Sequence, residues 1–247
     1  MDVPAEIIQR LRSATSVSVL TGAGVSAESG VPTFRDAQTG LWSKYRPEDL
    51  ATPSAFRRNP KLVWEWYAWR RALVAQAKPN PGHLALASMG SVFPQFTLIT
   101  QNVDGLHQLA GSRRVIELHG NIFKTKCFDE DQIVSEWQET GLVPPNCPRC
   151  GGHLRPAVVW FEEPLPEAEI QQAMTAAASC DVFLTVGTSN TVYPAAGLPL
   201  QALEHGATVI EVNPVPTPFS PRATFSIQAP AGIVLPELMK AVTTERK

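Results

Sequence analysis

The sequence predicts an α/β protein built on a Rossmann-like parallel sheet, and three observations support this. Short apolar runs alternate along the chain with amphipathic segments, as in sheets covered by helices on both faces. Polar clusters stand directly after several of these runs, where α/β sheets place their ligands. One segment, 121–156, differs in texture, with a C-x-x-C pair, an acidic run and few long apolar stretches. We therefore expect a large parallel-sheet domain and a small second domain that is zinc-ribbon-like and helical.

The predicted elements follow from the periodicity of the apolar residues. Helices are expected at 4–14, 60–77, 83–89, 166–178, 195–205 and 235–242, and strands at 16–21, 96–100, 115–118, 157–161, 182–186, 208–212 and 225–227. Asn59 and Pro60 give the helix at 60–77 a capping residue and a proline at its first position. The stretch from Gly22 to about Leu50 is rich in Gly, Ser, Pro and Asp, which predicts a loop with little regular structure.

The composition limits the classes of function. With 247 residues, 44% of them hydrophobic and 18% charged, the chain can bury a full core, and its composition argues against disorder. A net charge of −2 without a basic block gives no electrostatic reason to expect nucleic acid or a membrane surface as a partner. Because no signal peptide is recognisable and no apolar run approaches ~18 residues, we expect a cytoplasmic protein whose four cysteines stay reduced.

The cluster after the first predicted strand matches the relaxed dinucleotide fingerprint G-x-G-x-x-A, at 22–27. Its glycines let backbone amides approach a pyrophosphate. Pro32 would interrupt the long helix that an ordinary dehydrogenase has here, so we expect a long loop to fold over the cofactor. Two later strand ends, 187–189 and 213–214, carry small and polar residues that suit ribose and phosphate. Each of them could also be an ordinary loop start.

Six segments in a fixed order cover nearly the whole chain. They are GAGVSAESGVPTFRD (22–36), TQNVDGLH (100–107), ELHG (117–120), CPRCGGHLRPAVVWF (147–161), VGTSNTVYPAA (186–196) and EVNP (211–214). Together they resemble the sirtuin family of NAD-dependent protein deacylases, of class III and bacterial type. The resemblance implies a deacetylase and desuccinylase or demalonylase that releases nicotinamide from NAD and transfers the acyl group to ADP-ribose. It also implies that acyl-lysine proteins or peptides enter a cleft between two domains.

The resemblance also suggests how the chain is divided. We expect a Rossmann-like NAD-binding domain formed by 1–35, 83–120 and 157–247. Residues 36–82 would form the cofactor loop and the helical module of the small domain, and 121–156 a zinc-ribbon-like insert.

The family's catalytic residues carry over to three positions. His119 matches the general base that activates a ribose hydroxyl, and a reference pKa of ~6.5 leaves it largely neutral near pH 7. Asn102 and Asp104 match the residues that position the nicotinamide and its ribose. Asp104 could also cap a helix that starts at Gly105.

The cofactor-binding residues implied by the resemblance lie along most of the chain. Gln101 would contact ribose hydroxyls, Arg35 and Asp36 would sit in the flexible cofactor loop, and Phe34 would guard the ribose after nicotinamide leaves. The full set is Gly22, Ala23, Gly24, Ser26, Ala27, Thr33, Phe34, Arg35, Asp36, Trp42, Gln101, Asn102, Asp104, His119, Gly187, Thr188, Ser189, Asn213, Pro214, Val215 and Ala231.

Tyr67 and Arg70 are three residues apart and therefore share a helix face. A phenol and a guanidinium on one face suit a carboxylate, because arginine forks onto two oxygens. The pair looks like the Tyr-x-x-Arg of class III sirtuins, which prefer succinyl, malonyl or glutaryl lysine, and Ala51 also matches that class. The alternative is an aromatic core helix whose arginine reaches for solvent. The substrate-binding set is Ala51, Tyr67, Arg70, Val159, Trp160, Phe161 and Val192.

The sequence departs from the family pattern at the zinc site. Cys127, Cys147 and Cys150 match three ligands, but Glu130 stands where a fourth cysteine is expected. Structural zinc takes four ligands, and Glu130, Asp129 or His153 could supply the last one. Packing without zinc could also hold the module. Cys180 is expected to lie in the core.

A second departure is Glu162, where the family usually has glycine beside the strand that pairs with the peptide substrate. Backbone pairing tolerates a side chain that points away, so peptide binding should survive.

Two other hypotheses use the same pocket. A mono-ADP-ribosyltransferase or an NAD glycohydrolase would release nicotinamide without consuming acyl-lysine. A non-catalytic NAD sensor would need no base, and the intact Asn102, Asp104 and His119 argue against it.

Overall fold

A computed structural model describes residues 3–32, 44–138 and 140–244. The α-helices in these ranges are α1 (Ala5–Ser13), α2 (Gly24–Ala27), α3 (Pro47–Leu50), α4 (Pro53–Arg58), α5 (Pro60–Val74), α6 (Pro81–Val92), α7 (Leu106–Leu109), α8 (Glu167–Ser179), α9 (Leu198–Glu204) and α10 (Ala231–Thr244). The strands are β1 (Ser16–Thr21), β2 (Gln95–Thr100), β3 (Val115–Glu117), β4 (Gly120–Cys127), β5 (Leu154–Val158), β6 (Val182–Val186), β7 (Thr208–Val212) and β8 (Phe225–Ile227).

Six strands form a parallel sheet in the order β3-β2-β1-β6-β7-β8. The chain leaves β1 towards β2 on one side and β6 towards β7 on the other. The topological switch point therefore lies between β1 and β6, where open α/β sheets bind their ligands.

Helices cover both faces of this sheet, which explains why its central strands are buried along nearly their whole length. Val19 packs into a cluster with α1, α6 and α10. Its neighbour Leu20 points to the opposite face and packs with α8 and α9. The predicted parallel α/β sheet is confirmed.

β4 and β5 pair antiparallel in a separate two-stranded sheet. The prediction of a strand at 157–161 among the parallel strands was wrong, because β5 begins at Leu154 and ends at Val158. The charged Arg155 hides the start of the strand in the sequence, yet it is buried in an ion pair with Glu163. The chain then turns, and Glu162 adopts a left-handed φ of 74°, a conformation that costs a non-glycine residue about 1 kcal/mol.

The helical module is built around α5. Its predicted start is confirmed, since the Asn59 side chain accepts a hydrogen bond from the Leu62 N–H at 3.1 Å, although the helix ends at Val74 rather than near 77. The inner face of α5 packs against α4, β4 and the residues after β5 in a third apolar cluster. The preceding α4 was missed, although Thr52 caps it.

Two further boundaries differ from the prediction. The stretch 22–50 contains the short helices α2 and α3, so it is not wholly irregular. The last helix begins at Ala231 and not near 235. The prediction placed its start too late because proline is typical of a first helical turn, whereas Pro236 lies inside this helix. The division into domains stays a prediction. None of the helices described is long and apolar enough to cross a bilayer.

Candidate active site

The loops that follow β1 and β6 interlock at the switch point. The Gly24 N–H donates to the Gly187 carbonyl at 2.8 Å. A Cβ atom on Gly24 would lie 2.7 Å from that carbonyl oxygen, and one on Gly187 would lie 2.4 Å from the Val25 nitrogen. Gly187 also has a φ of 59°. Glycine is therefore required on both sides of this contact.

The structure brings the predicted cofactor residues that it describes to the carboxyl edge of the sheet. Gln101 follows β2, and its Nε2 donates to Thr188 Oγ1 after β6 at 2.9 Å. Asn213 follows β7, and its Nδ2 donates to the Val215 carbonyl at 2.7 Å. The residues at this edge are Gly22, Ala23, Gly24, Ser26, Ala27, Gln101, Asn102, Asp104, His119, Gly187, Thr188, Ser189, Asn213, Pro214 and Val215.

Ala231 is buried at the first position of α10. The next residue, Gly232, donates its N–H to Glu28 Oε1 at 2.9 Å, which ties this helix to the loop after β1. The predicted cofactor residues Thr33, Phe34, Arg35, Asp36 and Trp42 lie outside the described residues.

Ser26 holds the two predicted positioning residues together. Its hydroxyl donates to Asp104 Oδ2 at 2.7 Å and accepts from Asn102 Nδ2 at 3.0 Å. His83 Nε2 lies 3.3 Å from the same oxygen. Because His83 Nδ1 accepts from the Asn80 N–H, Nε2 carries the hydrogen and donates to Ser26. The side chains of Asn102 and Asp104 are thus fixed by one buried hydroxyl.

Asn102 is also held from its backbone side. Its N–H donates to Thr100 Oγ1 at 3.0 Å, Thr100 Oγ1 lies 2.8 Å from Thr21 Oγ1, and Thr21 Oγ1 lies 2.9 Å from His107 Nε2. The rings of His107 and His83 are 4.9 Å apart, so the two chains of contacts meet. Burial lowers the pKa of His83 to about 4 and that of His107 to about 3, so both rings are neutral near pH 7.

Sequence reasoning missed the two histidines. His83 had one local signal, because it occupies the third position of a helix and completes a capping box with Asn80. His107 lies within a quoted family segment but was given no role.

Asp104 also contacts the start of α7. Its Oδ1 accepts from the Leu106 N–H at 2.9 Å, but the capping residue of this helix is Gly105, and no side chain occupies the N-cap position as Asp104 was predicted to. Burial raises the pKa of Asp104, and its hydrogen bonds to Leu106 and Ser26 oppose that rise.

Among the described residues, His119 hydrogen-bonds through one ring nitrogen only. Its Nδ1 lies 2.9 Å from the Gln101 carbonyl, which can only accept, so Nδ1 carries the hydrogen and Nε2 keeps its lone pair. Burial lowers the pKa of His119, so the ring is neutral near pH 7. The His119 carbonyl accepts from the Val159 N–H at 2.9 Å, which joins the ring's segment to the end of β5. A neutral, oriented imidazole of this kind can act as a general base.

Tyr67 and Arg70 lie on the inner face of α5, with only 2% and 7% of their surfaces exposed. The alternative in which Arg70 reaches for solvent is therefore wrong. The Arg70 guanidinium lies 5.3 Å from the ring centre of Trp66, and burial lowers its pKa. Burial also raises the pKa of Tyr67, so the phenol stays protonated. Trp160 Nε1 donates to the Tyr67 oxygen at 2.9 Å.

The other predicted substrate residues lie nearby or on exposed loops. The Phe161 N–H donates to the Ala51 carbonyl at 3.0 Å, which joins the loop after β5 to the segment before α4. The side chains of Phe161 and Val192 are exposed, and Val159 is half-buried.

We call α4, α5, β4, β5 and the segments beside them the small module. Four of its side chains converge to form a candidate metal site. Cys127, Glu130, Cys147 and Cys150 place their ligand atoms within 4.8 Å of one another. Asp129 and His153, the other candidates for the fourth position, do not belong to this group. Three thiols and a carboxylate are ligands that zinc takes in tetrahedral sites, so the cluster fits a zinc ion.

One contact around this cluster orients the unusual ligand. Arg149 Nε donates to Glu130 Oε2 at 2.9 Å. Cys180 lies apart, buried against the sheet as predicted.

Comparisons with known proteins agree with this geometry. A sequence model described as the Sir2 family matches residues 22–194. The NAD-dependent protein deacylase of Ralstonia nicotianae is 54% identical over 237 residues, which cover 96% of each chain. A crystal structure of a Sir2 homolog–NAD complex is similar with a TM-score of 0.90 and 44% identity, covering 98% of this chain and 94% of that one. A Sir2 structure with a deacetylated p53 peptide and 3′-O-acetyl ADP ribose has a TM-score of 0.79 and 31% identity, with 96% of both chains covered.

Proposed function

The chain belongs to the Sir2 family, and on that premise we propose that it is an NAD-dependent protein-lysine deacylase. It would transfer the acyl group of an acyl-lysine protein or peptide to ADP-ribose and release nicotinamide. The observation that carries this proposal is His119, a neutral imidazole beside the residues that follow β2, whose Nε2 is bonded to no described residue. An imidazole in this state accepts a proton at Nε2 during the acyl transfer.

The switch point supports NAD as the cofactor. The amide, hydroxyl and backbone groups that follow β1, β2, β6 and β7 suit ribose hydroxyls and phosphates. When bound, NAD supplies the ADP-ribose that accepts the acyl group. Ser26 orients Asn102 and Asp104 for contact with the nicotinamide end, and both residues are buried, which excludes bulk water from that contact.

The acyl group we propose is a carboxylated one, succinyl or malonyl, with acetyl as a slower substrate. Tyr67 and Arg70 support this because both are buried on one helix face and both present hydrogen-bond donors. Ala51 belongs to the same buried cluster, and its side chain is small, which would suit a longer acyl chain.

Zinc would hold the small module together through Cys127, Cys147, Cys150 and Glu130, away from the reaction. The two-domain division and the cytoplasmic location stay predictions.

The proposal is tested by mass spectrometry of acetyl-lysine and succinyl-lysine peptides, incubated with the protein and with or without NAD. We expect both peptides to lose their acyl group only with NAD, and the succinyl peptide to react faster. Faster removal of acetyl would still support a deacylase but would refute Tyr67 and Arg70 as a receptor for the acyl carboxylate, the acid receptor. Release of nicotinamide from NAD while both peptides stay intact would instead support a glycohydrolase or an ADP-ribosyltransferase.

A further inference from the structure

The oxygen of the Tyr67 hydroxyl accepts one hydrogen bond, and no described residue accepts its hydrogen. The oxygen accepts from Trp160 Nε1 at 2.9 Å. Across the described part of the chain, no acceptor is bonded to the hydroxyl hydrogen. The nearby Arg70 cannot serve as one, since a guanidinium only donates. The Tyr67 hydroxyl can therefore donate its hydrogen to a ligand.

Trp160 is held in place by the Arg155–Glu163 ion pair, which does not include Tyr67 or Arg70. The Arg155 guanidinium carbon lies 3.2 Å from the ring centre of Trp160. Glu163 Oε2 accepts from the Trp160 N–H at 2.7 Å and from Arg155 Nη2 at 3.0 Å. Arg155 Nη2 also donates to the Val158 carbonyl at 2.7 Å. Both the backbone and the ring of Trp160 are thus fixed by Arg155 and Glu163.

We infer that Trp160, positioned by the Arg155–Glu163 pair, determines acyl selectivity by donating to the Tyr67 oxygen, which leaves the hydroxyl hydrogen for the acyl group. The inference rests on the proposed function and deepens it. Tyr67 and Arg70 both carry donors, which suits the two oxygens of a carboxylate, because these only accept. A neutral acyl chain that ends in a methyl group has no acceptor to offer there. Trp160 thus acts through Tyr67, as a positioning residue for one class of acyl group.

The inference predicts a selective effect of Trp160→Phe, which keeps an aromatic ring but removes the N–H donor. The Tyr67 oxygen would then be free to accept, and its hydrogen free to turn. We expect the ratio of kcat/KM for succinyl-lysine to kcat/KM for acetyl-lysine to fall roughly 2- to 10-fold, the value of one neutral hydrogen bond. Tyr67→Phe removes the donor itself and should lower the same ratio roughly 10- to 100-fold, the value of a bond to a charged group.

The double variant Trp160→Phe/Tyr67→Phe separates this role from general support of the fold. If Trp160 acts through the hydroxyl, the double variant has the same ratio as Tyr67→Phe alone. Trp64→Phe is the matched control, because Trp64 packs against the cluster around Cys127 and against Arg71 and not against Tyr67, and it should keep the wild-type ratio.

Each other outcome overturns a definite statement. A Trp160→Phe variant that loses both activities equally, or a double variant whose ratio falls by the product of the single effects, refutes the inference. An unchanged ratio in Tyr67→Phe refutes the acid receptor and the inference with it. A wild-type protein that removes neither acyl group with NAD refutes the proposed function.

Discussion

The polar side chains at the carboxyl edge of the parallel sheet differ from those of the small module in their hydrogen-bond partners. At the sheet edge, the Ser26 hydroxyl is bonded to Asn102, to Asp104 and to the neutral ring of His83. In the small module, Tyr67 keeps a donor that no described residue accepts. The difference teaches that the edge is organised before any ligand arrives, whereas the module is completed by its ligand. Substitutions at the edge should therefore affect all acyl groups alike, and substitutions in the module should change the preference among them.

The largest expected effect is at the edge. His119→Ala should lower the rate ~10²–10⁴-fold, the usual contribution of a general base, equally for acetyl and succinyl peptides. NAD binding should persist, because the ring is not needed to form the loops after β1 and β6. Steady-state kinetics and calorimetric titration with NAD measure the two parts. Turnover at the wild-type level would remove His119 from the proposed mechanism.

The next effect belongs to the module. Arg70→Met should lower desuccinylation roughly 10- to 100-fold more than deacetylation, because a charged bidentate partner is lost. Arg71→Met is the matched control, since Arg71 is a half-buried arginine of the same helix whose guanidinium lies 5.5 Å from the ring centre of Trp64. Comparison of kcat/KM for the two peptides measures the effect. Equal losses for both peptides would contradict the proposal that the small module sets the preference among acyl groups.

A third prediction concerns the metal cluster. We expect protein purified without added zinc to contain the metal, and Glu130→Ala to lower its affinity about 10-fold or more. Glu130→Cys should raise the affinity, because thiolates are preferred ligands of structural zinc. Competition with a chromogenic chelator measures both, and Asp129→Asn is the control. An affinity unaffected by Glu130→Ala would mean that another group completes the site.

The smallest effect returns to the edge and depends on pH. His107 titrates near 6.5 in an unfolded chain, but burial lowers its pKa in the fold to about 3. The unfolded state therefore binds more protons as the pH falls below about 6.5, and stability drops. Between about pH 7 and pH 5, the free energy of unfolding of His107→Asn should fall by about 1–2 kcal/mol less than that of the wild type. Urea unfolding at the two pH values tests this, and the same loss in both proteins would contradict it.

The parallel sheet could be predicted because its strands are apolar runs that end in polar clusters. The same logic placed Asn102, Asp104 and His119 at one edge, because the carboxyl ends of parallel strands meet there. The predicted bounds of β5 were displaced because a buried arginine looks like a surface residue in a sequence. Arg155 can be buried because it pairs with Glu163.

Long-range contacts explain the rest. The His83–His107 pair joins two isolated histidines that no local pattern connects. The Trp160–Tyr67 bond joins residues 93 positions apart, on segments from different parts of the small module. The choice of Glu130 over Asp129 and His153 as the fourth ligand depends on where the turn after Cys127 directs each side chain.

The interlocked glycines have a consequence for biosynthesis. Gly24 and Gly187 touch across strands that are separated by most of the chain. The loop after β1 emerges early from the ribosome, but its partner loop emerges only after β6 has been synthesised. The nascent N-terminal half therefore exposes an unfinished binding loop throughout most of translation, and competence to capture the cofactor arises late, in a single docking event between two distant segments.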